Sequence, residues 1–309
     1  MKHRWIAKAT GVLCAVTVAL GVMSTAVFAG TEEPVIETIQ LTALPEPTFV
    51  VLDDLPLGVD EPLDVTDNRK DVPLYWGDEA MGACPIVDGV PWVSAGSFCQ
   101  SLGGQVTEQD GVLTVSMEGL TLTAESGQEY FVCNGRYLYV AGGIPTVNGQ
   151  LVLPLEALVV DCLGLTASWN RANWQITVLP EDVSPIVNGD DYYNETDLYW
   201  LSRLIGAKAS GQPLEVQAAV GSVCVNRLSD PAFDGQGSIY EVIFAKNQFD
   251  VVANGMIYTA PDATAILAAK LALEGCDAAQ GATYVASGDM GENYECVAQM
   301  GGLWFLTET

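Results

Sequence analysis

The sequence predicts a multidomain α+β chain in which a β-rich, duplicated module precedes a mainly α-helical domain. Two internal observations carry this. Residues 86–104, IVDGVPWVSAGSFCQSLGG, realign with residues 146–164, TVNGQLVLPLEALVVDCLG, with one residue inserted. Beyond residue 195 the apolar spacing changes from alternation to the three-and-four step of a helix, as in Leu201, Leu204, Ile205 and Lys208.

Residues 1–29 have a basic start, an apolar run from Gly11, and Val27 and Ala29 at the −3 and −1 positions of a signal-peptidase site. They are expected to act as a secretory signal; an uncleaved anchor is the alternative, although the run is short for a stable span. No other segment is apolar for long enough to cross a bilayer, so no stable span is expected after signal cleavage. Residues 30–71 are acidic and proline-bearing, without sustained periodicity, and suggest a tether with at most a short strand at residues 48–52.

Residues 72–180 form the duplicated module. Each copy predicts a strand, an Asp-Gly or Asn-Gly turn, a second strand and a short helix ending at glycine, with Asp88 and Asn148 as turn residues. An alternating strand follows each copy, at residues 112–117 and 174–178. A period of about 60 residues is too long for a solenoid, so a paired module is expected rather than an array. Residues 181–194 are again polar and proline-bearing and predict a second linker.

Residues 195–309 form the helical domain. Its first helix ends at Gly211, and Pro213 opens a second that ends near Arg227. Ser238 and Glu241 have capping-box spacing for a third helix, and residues 261–275 predict a fourth. The aromatic, glycine-rich tail from residue 281 predicts strands and loops able to close a cleft.

The chain carries 12 basic and 39 acidic residues, a net charge of −27. Loss of Lys2, Arg4 and Lys8 with the signal makes the mature chain still more acidic. Such a chain repels polyanions at long range, which excludes nucleic acid as a partner. The single histidine, His3, leaves with the signal, so Ser-His and Cys-His catalysis are excluded and the commonest metal ligand is missing. Seven cysteines remain, with no CxxC spacing; Cys162 and Cys224 lie in apolar helical patterns and predict buried thiols. No pairing is assigned, and neither a metal nor a cofactor is expected.

Residues 197–228, DLYWLSRLIGAKASGQPLEVQAAVGSVCVNRL, resemble the opening of the SleB-type cell-wall hydrolase (spore-cortex-lytic enzyme) family. Its pattern there runs approximately L-A-R-x-I-x-A-E-A-x-G-E-P-x-x-G-Q-x-A-V-G-x-V-x-x-N-R. VIFAKNQF at 242–249 matches its V-I-x-x-x-x-Q-F element and ANGMIY at 253–258 its N-G-x-I-Y stretch. The resemblance covers residues 197–306. It implies a lysozyme-like fold, a peptidoglycan substrate and glycan cleavage by a lytic-transglycosylase route. In the module, VNGQLVLPLEALVVDCLG followed by SWNRANWQITV resembles the copper amine oxidase N-terminal-like stalk domain, which implies presentation or binding at the wall and no copper.

The implied route needs one carboxylic acid of raised pKa to protonate the glycosidic oxygen and then take back a proton. The family's catalytic glutamate corresponds to Lys208, whose ammonium is a weak acid and would sit beside oxocarbenium-like charge. Gln212 replaces the second glutamate, Ser210 a frequent arginine, Leu303 a usual histidine, and the Asn after the aromatic at Tyr284 is absent. The residues that pack the fold are kept while the polar site residues differ, which points to a fold retained for binding.

Gln212, Asn247, Gln248, Phe249, Tyr258 and Tyr284 are the candidate substrate-binding residues, although Tyr258, Tyr284 and Trp304 also suit core positions. Lys208 has a second reading, as a snorkelling cation or the partner of Glu215 or Asp250. Arg203 and Arg227 suit helix ends or ion pairs. Three functions stay open: a secreted, wall- or spore-associated protein that binds peptidoglycan glycan strands or a wall or spore-coat protein; an active hydrolase with a relocated carboxylate from Asp289, Glu292 or Glu295; and a structural envelope component.

Overall fold

The computed structural model describes residues 71–87, 89–233 and 236–309, which fall within one compact unit. The expected signal, the acidic tether with its short strand, and Asp88 lie outside the described residues.

Two sheets build the first half. Strands β1 (Asp71–Trp76) and β2 (Glu79–Val87) lead into the first copy of the repeat, which continues in β3 (Val90–Ser94) and α1 (Ala95–Ser101). A meander follows: β4 (Gln105–Gln109), β5 (Val112–Met117), β6 (Leu120–Glu125), β7 (Tyr130–Cys133) and β8 (Arg136–Tyr139). The second copy gives β9 (Thr146–Val147), β10 (Gln150–Pro154) and a π-helix (Glu156–Cys162), and β11 (Ala167–Asn170) and β12 (Gln175–Val178) follow it. The seven-stranded sheet has the order β11-β12-β1-β2-β3-β10-β9, and β4 to β8 form a separate five-stranded sheet in sequence order.

The two copies meet across a local two-fold. In the β3/β10 ladder Val93 pairs with Leu153, its own counterpart in the repeat, and Ser94 with Val152 and Trp92 with Pro154 exchange places around it. The inserted residue of the second copy also has a structural outcome. The first copy closes in an α-helix and a left-handed Gly103 (φ 86°), the second in a π-helix and a left-handed Gly164 (φ 64°). One extra residue in a helix that must begin and end at fixed points widens a turn, which is the geometry of the π form. Asn148 takes the positive φ (51°) expected of the turn. The symmetry then breaks: the hairpin β4–β5 joins the small sheet, whereas β11–β12 extends the large one through a parallel β12–β1 pairing.

The small sheet is covered on both faces. Leu113, Val115, Leu120, Leu122, Phe131 and Cys133 point into the core of the first half. Tyr130, Tyr137 and Tyr139, on the opposite side of the pleat, pack against the core of the second half. The period of two along each strand thus sends alternate residues into two different cores.

The stretch after β12 is bonded to the first half rather than free. Ser184 N–H donates to Leu163 O at 2.9 Å, Ile186 N–H to Cys162 O at 2.9 Å and Gly189 N–H to Asn134 O at 2.8 Å. Asn134 Nδ2 donates to Ile186 O at 2.8 Å, and Val183 and Ile186 pack on the first core. The expected linker is therefore a docked strap ending in the single-turn helix α2 (Gly189–Tyr192).

The second half contains α3 (Glu195–Ala209), α4 (Leu214–Ser229), a 3₁₀ turn (Pro231–Phe233), α5 (Ile239–Phe244), α6 (Asp250–Ala253), a second 3₁₀ turn (Met256–Tyr258) and α7 (Ala263–Leu273). Strands β13 (Tyr284–Ala286), β14 (Tyr294–Met300) and β15 (Leu303–Glu308) close it in the order β13-β15-β14. The caps follow the sequence closely: Asn194, Ser238 and Asp262 accept from the first-turn N–H groups of α3, α5 and α7, and Gly211 and Gly275 are left-handed. Pro213 sits at the N-cap of α4, one place ahead of the expected first helical position. Gly221 lets α4 lie close on α7, since a Cβ there would meet Ala272 Cβ at 2.8 Å.

One polar cluster joins the halves. Arg136 on β8 donates through Nε to Glu274 Oε1 at 2.9 Å and through Nη2 to Oε2 at 2.5 Å; the two side chains are 13% and 5% exposed. Tyr193 OH donates to Glu274 at 2.7 Å and accepts from Tyr137 N–H at 3.0 Å, while the guanidinium stacks 3.4 Å from the Tyr192 ring. Removing one member of a buried pair strands the other charge. Glu274→Ala is expected to cost about 3–5 kcal/mol in denaturant unfolding; a loss below about 1 kcal/mol, the range of exposed pairs, would show that the pair does not hold the halves together. Gly164→Ala should destabilise by more than Gly103→Ala. Both impose left-handed strain on the order of 1–3 kcal/mol, but only at Gly164 would the new Cβ collide with the strap, at Ser184 O. Equal costs in urea melts would contradict a docked strap.

Candidate functional site

Leu201, Leu204 and Ile205 on α3 are fully buried, so Lys208 at the end of that face is drawn inward as well. Its side chain is 15% exposed, and its Nζ donates to Asp250 Oδ1 at 2.8 Å. Of the two carboxylates the sequence offers as partners, Asp250 at the first turn of α6 takes the role; Glu215 is exposed on α4. The Lys208 hydrogen bond and charge, with backbone N–H groups at the start of α6, hold the Asp250 carboxyl below its ordinary range despite a partial desolvation that opposes them.

The corner after α3 is fixed by Gln212. Its carbonyl accepts from Gln217 Nε2 at 2.9 Å, and its side chain lies against Gly301 so closely that a Cβ there would overlap Gln212 Oε1. Gly301 and Gly302, both left-handed, form the two-residue turn between Met300 and Leu303 in the β14–β15 hairpin. The hairpin tip therefore rests on the α3–α4 corner, and Leu303 follows it at once.

Gln248, Phe249 and Tyr284 converge on Arg227. This side chain at the end of α4 is 3% exposed, donates through Nε to Thr283 O at 2.7 Å and through Nη1 to Gln248 Oε1 at 3.0 Å. Its Cζ lies 4.5 Å from the Phe249 ring centroid, 4.9 Å from Phe233 and 5.3 Å from Tyr284. Neither an ion pair nor a simple helix cap describes it, contrary to expectation: among the described residues no carboxylate lies within ion-pair distance of it. Burial lowers its pKa, and aromatic faces and neutral oxygens stabilise the charge. Phe249 is 5% exposed and belongs to this packing, Gln248 is held by it, and Asn247 is an exposed residue with φ 64° beside it.

Tyr258 does not belong to the core. It is 65% exposed and stands edge-on to Trp200 at 6.3 Å. Tyr284 and Trp304 are half-buried on the closing sheet. Arg203, another residue assigned to helix ends or ion pairs, lies 3.6 Å from the Tyr199 ring. The sequence gives no periodic signal for Arg227 as a hub, because its partners come from three separate loops and strands; the Trp200 cluster was likewise missed, since its aromatics are spread over three elements.

Chemistry available to this half is narrow. Burial pushes the thiols of Cys224 and Cys276 up to about 12, so they remain protonated, and Cys162 is buried as its pattern predicts. The loop carboxylates Asp289, Glu292 and Glu295 are exposed, and Asp289 Oδ1 accepts from Gly291 N–H at 2.8 Å in a local turn. Among the described residues no group of three or more His, Cys, Asp or Glu is placed to hold a metal ion, and no helix is long and apolar enough to cross a membrane.

Comparison with known proteins places this half. Residues 211–305 match the family model described as Cell Wall Hydrolase, and Lys208 lies just ahead of the matched stretch. Over 92 residues the chain is 39% identical to a spore cortex-lytic enzyme of Halalkalibacterium halodurans, covering 30% of this chain and 27% of that one. It is 36% identical over 92 residues to the spore cortex-lytic enzyme of Bacillus subtilis, covering 30% of each chain. The chain thus spans less than a third of the length of these curated relatives. The crystal structure of the catalytic domain of the Bacillus cereus SleB protein is 27% identical, with 37% of this chain and 92% of that chain covered at a TM-score of 0.34. With α4 through α7 inside the match, residues 211–305 form a cell wall hydrolase domain.

Proposed function

We propose that this chain is a secreted, wall- or spore-associated protein whose helical half binds peptidoglycan glycan strands and is impaired in cleaving them. Residues 195–309 act as the binding domain, residues 72–180 as a stalk-like module that presents it, and residues 1–29 as the export signal. The observation that carries this is the Lys208–Asp250 pair at 2.8 Å. A lytic route needs a protonated carboxyl at the end of α3. Here that position holds an ammonium, and the carboxylate it touches is kept ionised, the opposite of what an acid catalyst requires. Gln212 at the α3–α4 corner and Leu303 beyond the hairpin tip supply no titratable replacement. The exposed turn at Asn247, Gln248 beside it, and Tyr258 remain available to contact sugar.

Lys208→Glu tests the reading. The introduced carboxyl would face Asp250, and a like charge nearby raises a carboxyl pKa toward the range an acid catalyst needs. Release of muropeptides from purified peptidoglycan should rise by about 10²-fold or more over the native protein if a usable groove persists. Clear turnover by the native protein, lost on replacing Asp289, Glu292 or Glu295 by the amide, would instead establish an active hydrolase with a relocated carboxylate.

The pair also predicts a pH dependence. The folded Asp250 carboxyl titrates below its unfolded value of about 3.9. Its contribution is therefore complete above that unfolded value and lost as pH falls through the lower, folded one. Because Asp250 is 71% exposed, solvent screening limits the effect to about 1 kcal/mol or less. The stability gap between native protein and Asp250→Asn should be constant near neutrality and close in acid; a gap that widens in acid would contradict the assignment.

A further inference from the structure

An aromatic cluster on α3 and α5 is built around Trp200 and Phe244, which pack partly on the second core, and it leaves three tyrosines exposed outside the Lys208 pair. Tyr199 and Trp200 come from α3, Tyr240 and Phe244 from α5, and Tyr258 from the 3₁₀ turn. Trp200 is the centre: it stands edge-on to Tyr199 at 4.9 Å, Phe244 at 4.8 Å, Tyr240 at 5.8 Å and Tyr258 at 6.3 Å. Tyr240 stacks on Phe244 at 4.5 Å and 29°. These positions are the complement of the buried faces, since Leu201, Leu204 and Ile205 on α3 and Ile239, Val242 and Ile243 on α5 supply the core. Tyr199, Tyr240 and Tyr258 remain 48%, 46% and 65% exposed. A contiguous exposed aromatic patch marks a contact surface more often than packing does.

We infer that this patch is a stacking platform for a glycan strand, extending the binding site away from Lys208. The inference rests on the proposed glycan-binding function. Three features select a sugar polymer. The exposed rings are tyrosines, and a tyrosine combines an apolar ring suited to the C–H side of a pyranose with a hydroxyl suited to its equatorial oxygens. The cation at the edge, Arg203, is itself laid on Tyr199 at 3.6 Å, adding a planar donor rather than a free charge. The platform is also continuous with the candidate site: Tyr258 belongs to both, and Trp200 and Lys208 share α3, about 12 Å apart along an axis rising 1.5 Å per residue. An extended oligosaccharide of a few units spans that distance.

The test measures binding of the full mature chain to glycan strands from purified peptidoglycan whose stem peptides have been removed by an amidase, by calorimetry and by co-sedimentation. Tyr199→Ala/Tyr240→Ala removes two exposed rings outside the Lys208 site, and matched circular dichroism and melting curves check the fold. The expected result is at least tenfold weaker binding, with Tyr199→Phe/Tyr240→Phe retaining most of the affinity because ring stacking survives. Unchanged affinity in the alanine variant overturns the platform while leaving glycan binding by the domain intact. Native protein that binds only strands carrying stem peptides also overturns it. Native protein that binds no strand of either kind overturns both the platform and the proposed function. Loss of self-association in the alanine variant, with glycan binding unchanged, assigns the patch to a second copy of the chain and rejects the glycan.

Discussion

The bidentate Arg136–Glu274 pair is the interaction on which this chain's architecture depends. A guanidinium from β8 and a carboxylate just past α7 would each be costly to bury alone. Together, with Tyr193 and Tyr192 satisfying and covering them, they tie β8 to the end of α7 across the boundary between two cores. The five-stranded sheet can then serve both sides, sending Phe131 and Leu138 into one core and Tyr130, Tyr137 and Tyr139 into the other. Lys270 adds to the same boundary, its ammonium 4.6 Å from the Tyr137 ring.

Cations carry much of the organisation in a chain that is strongly acidic. Arg227 is buried with no counterion among the described residues and gathers aromatic rings and neutral oxygens, which fixes the Gln248–Phe249 element relative to α4 and β13. Lys208 keeps a counterion and sits at the end of a buried face. The two solve the same solvation problem in opposite ways, one through rings and neutral oxygens and the other through an exposed carboxylate. Arg203, stacked on Tyr199, is a third solution at the surface.

Much of the fold was legible because it is written in local signals. The duplicated strand–turn–strand–helix unit shows itself through Asn148 and the closing glycines, and its one inserted residue surfaces as the π-helix. The capping box of α5 was readable from Ser238 and Glu241, and the ends of α3 and α7 from Gly211 and Gly275. What stayed hidden depends on distant segments meeting. The strap after β12 has a linker's composition, yet backbone hydrogen bonds to residues 134, 162 and 163, the Asn134 side chain and the packing of Val183 and Ile186 dock it. Tyr258 has an ordinary core residue's identity yet projects outward because the 3₁₀ turn buries Ile257 instead. At the site, Lys208 was legible as an anomaly, whereas the choice of Asp250 as partner required knowing that α6 starts beside the end of α3.

The docked strap changes how the two halves could share a ligand. Two modules joined by a flexible tether gain from each other through an effective concentration that tolerates many spacings. Here the chain between the modules is spent on hydrogen bonds to Cys162, Leu163 and Asn134, so it has no slack to lend. A second contact made by the β-rich half would strengthen the first only where the polymer's own repeat brings it to one fixed distance and orientation. Under the proposed glycan binding, the pair would act as a ruler, favouring ordered, regularly spaced strands over the same sugars in a loose coil.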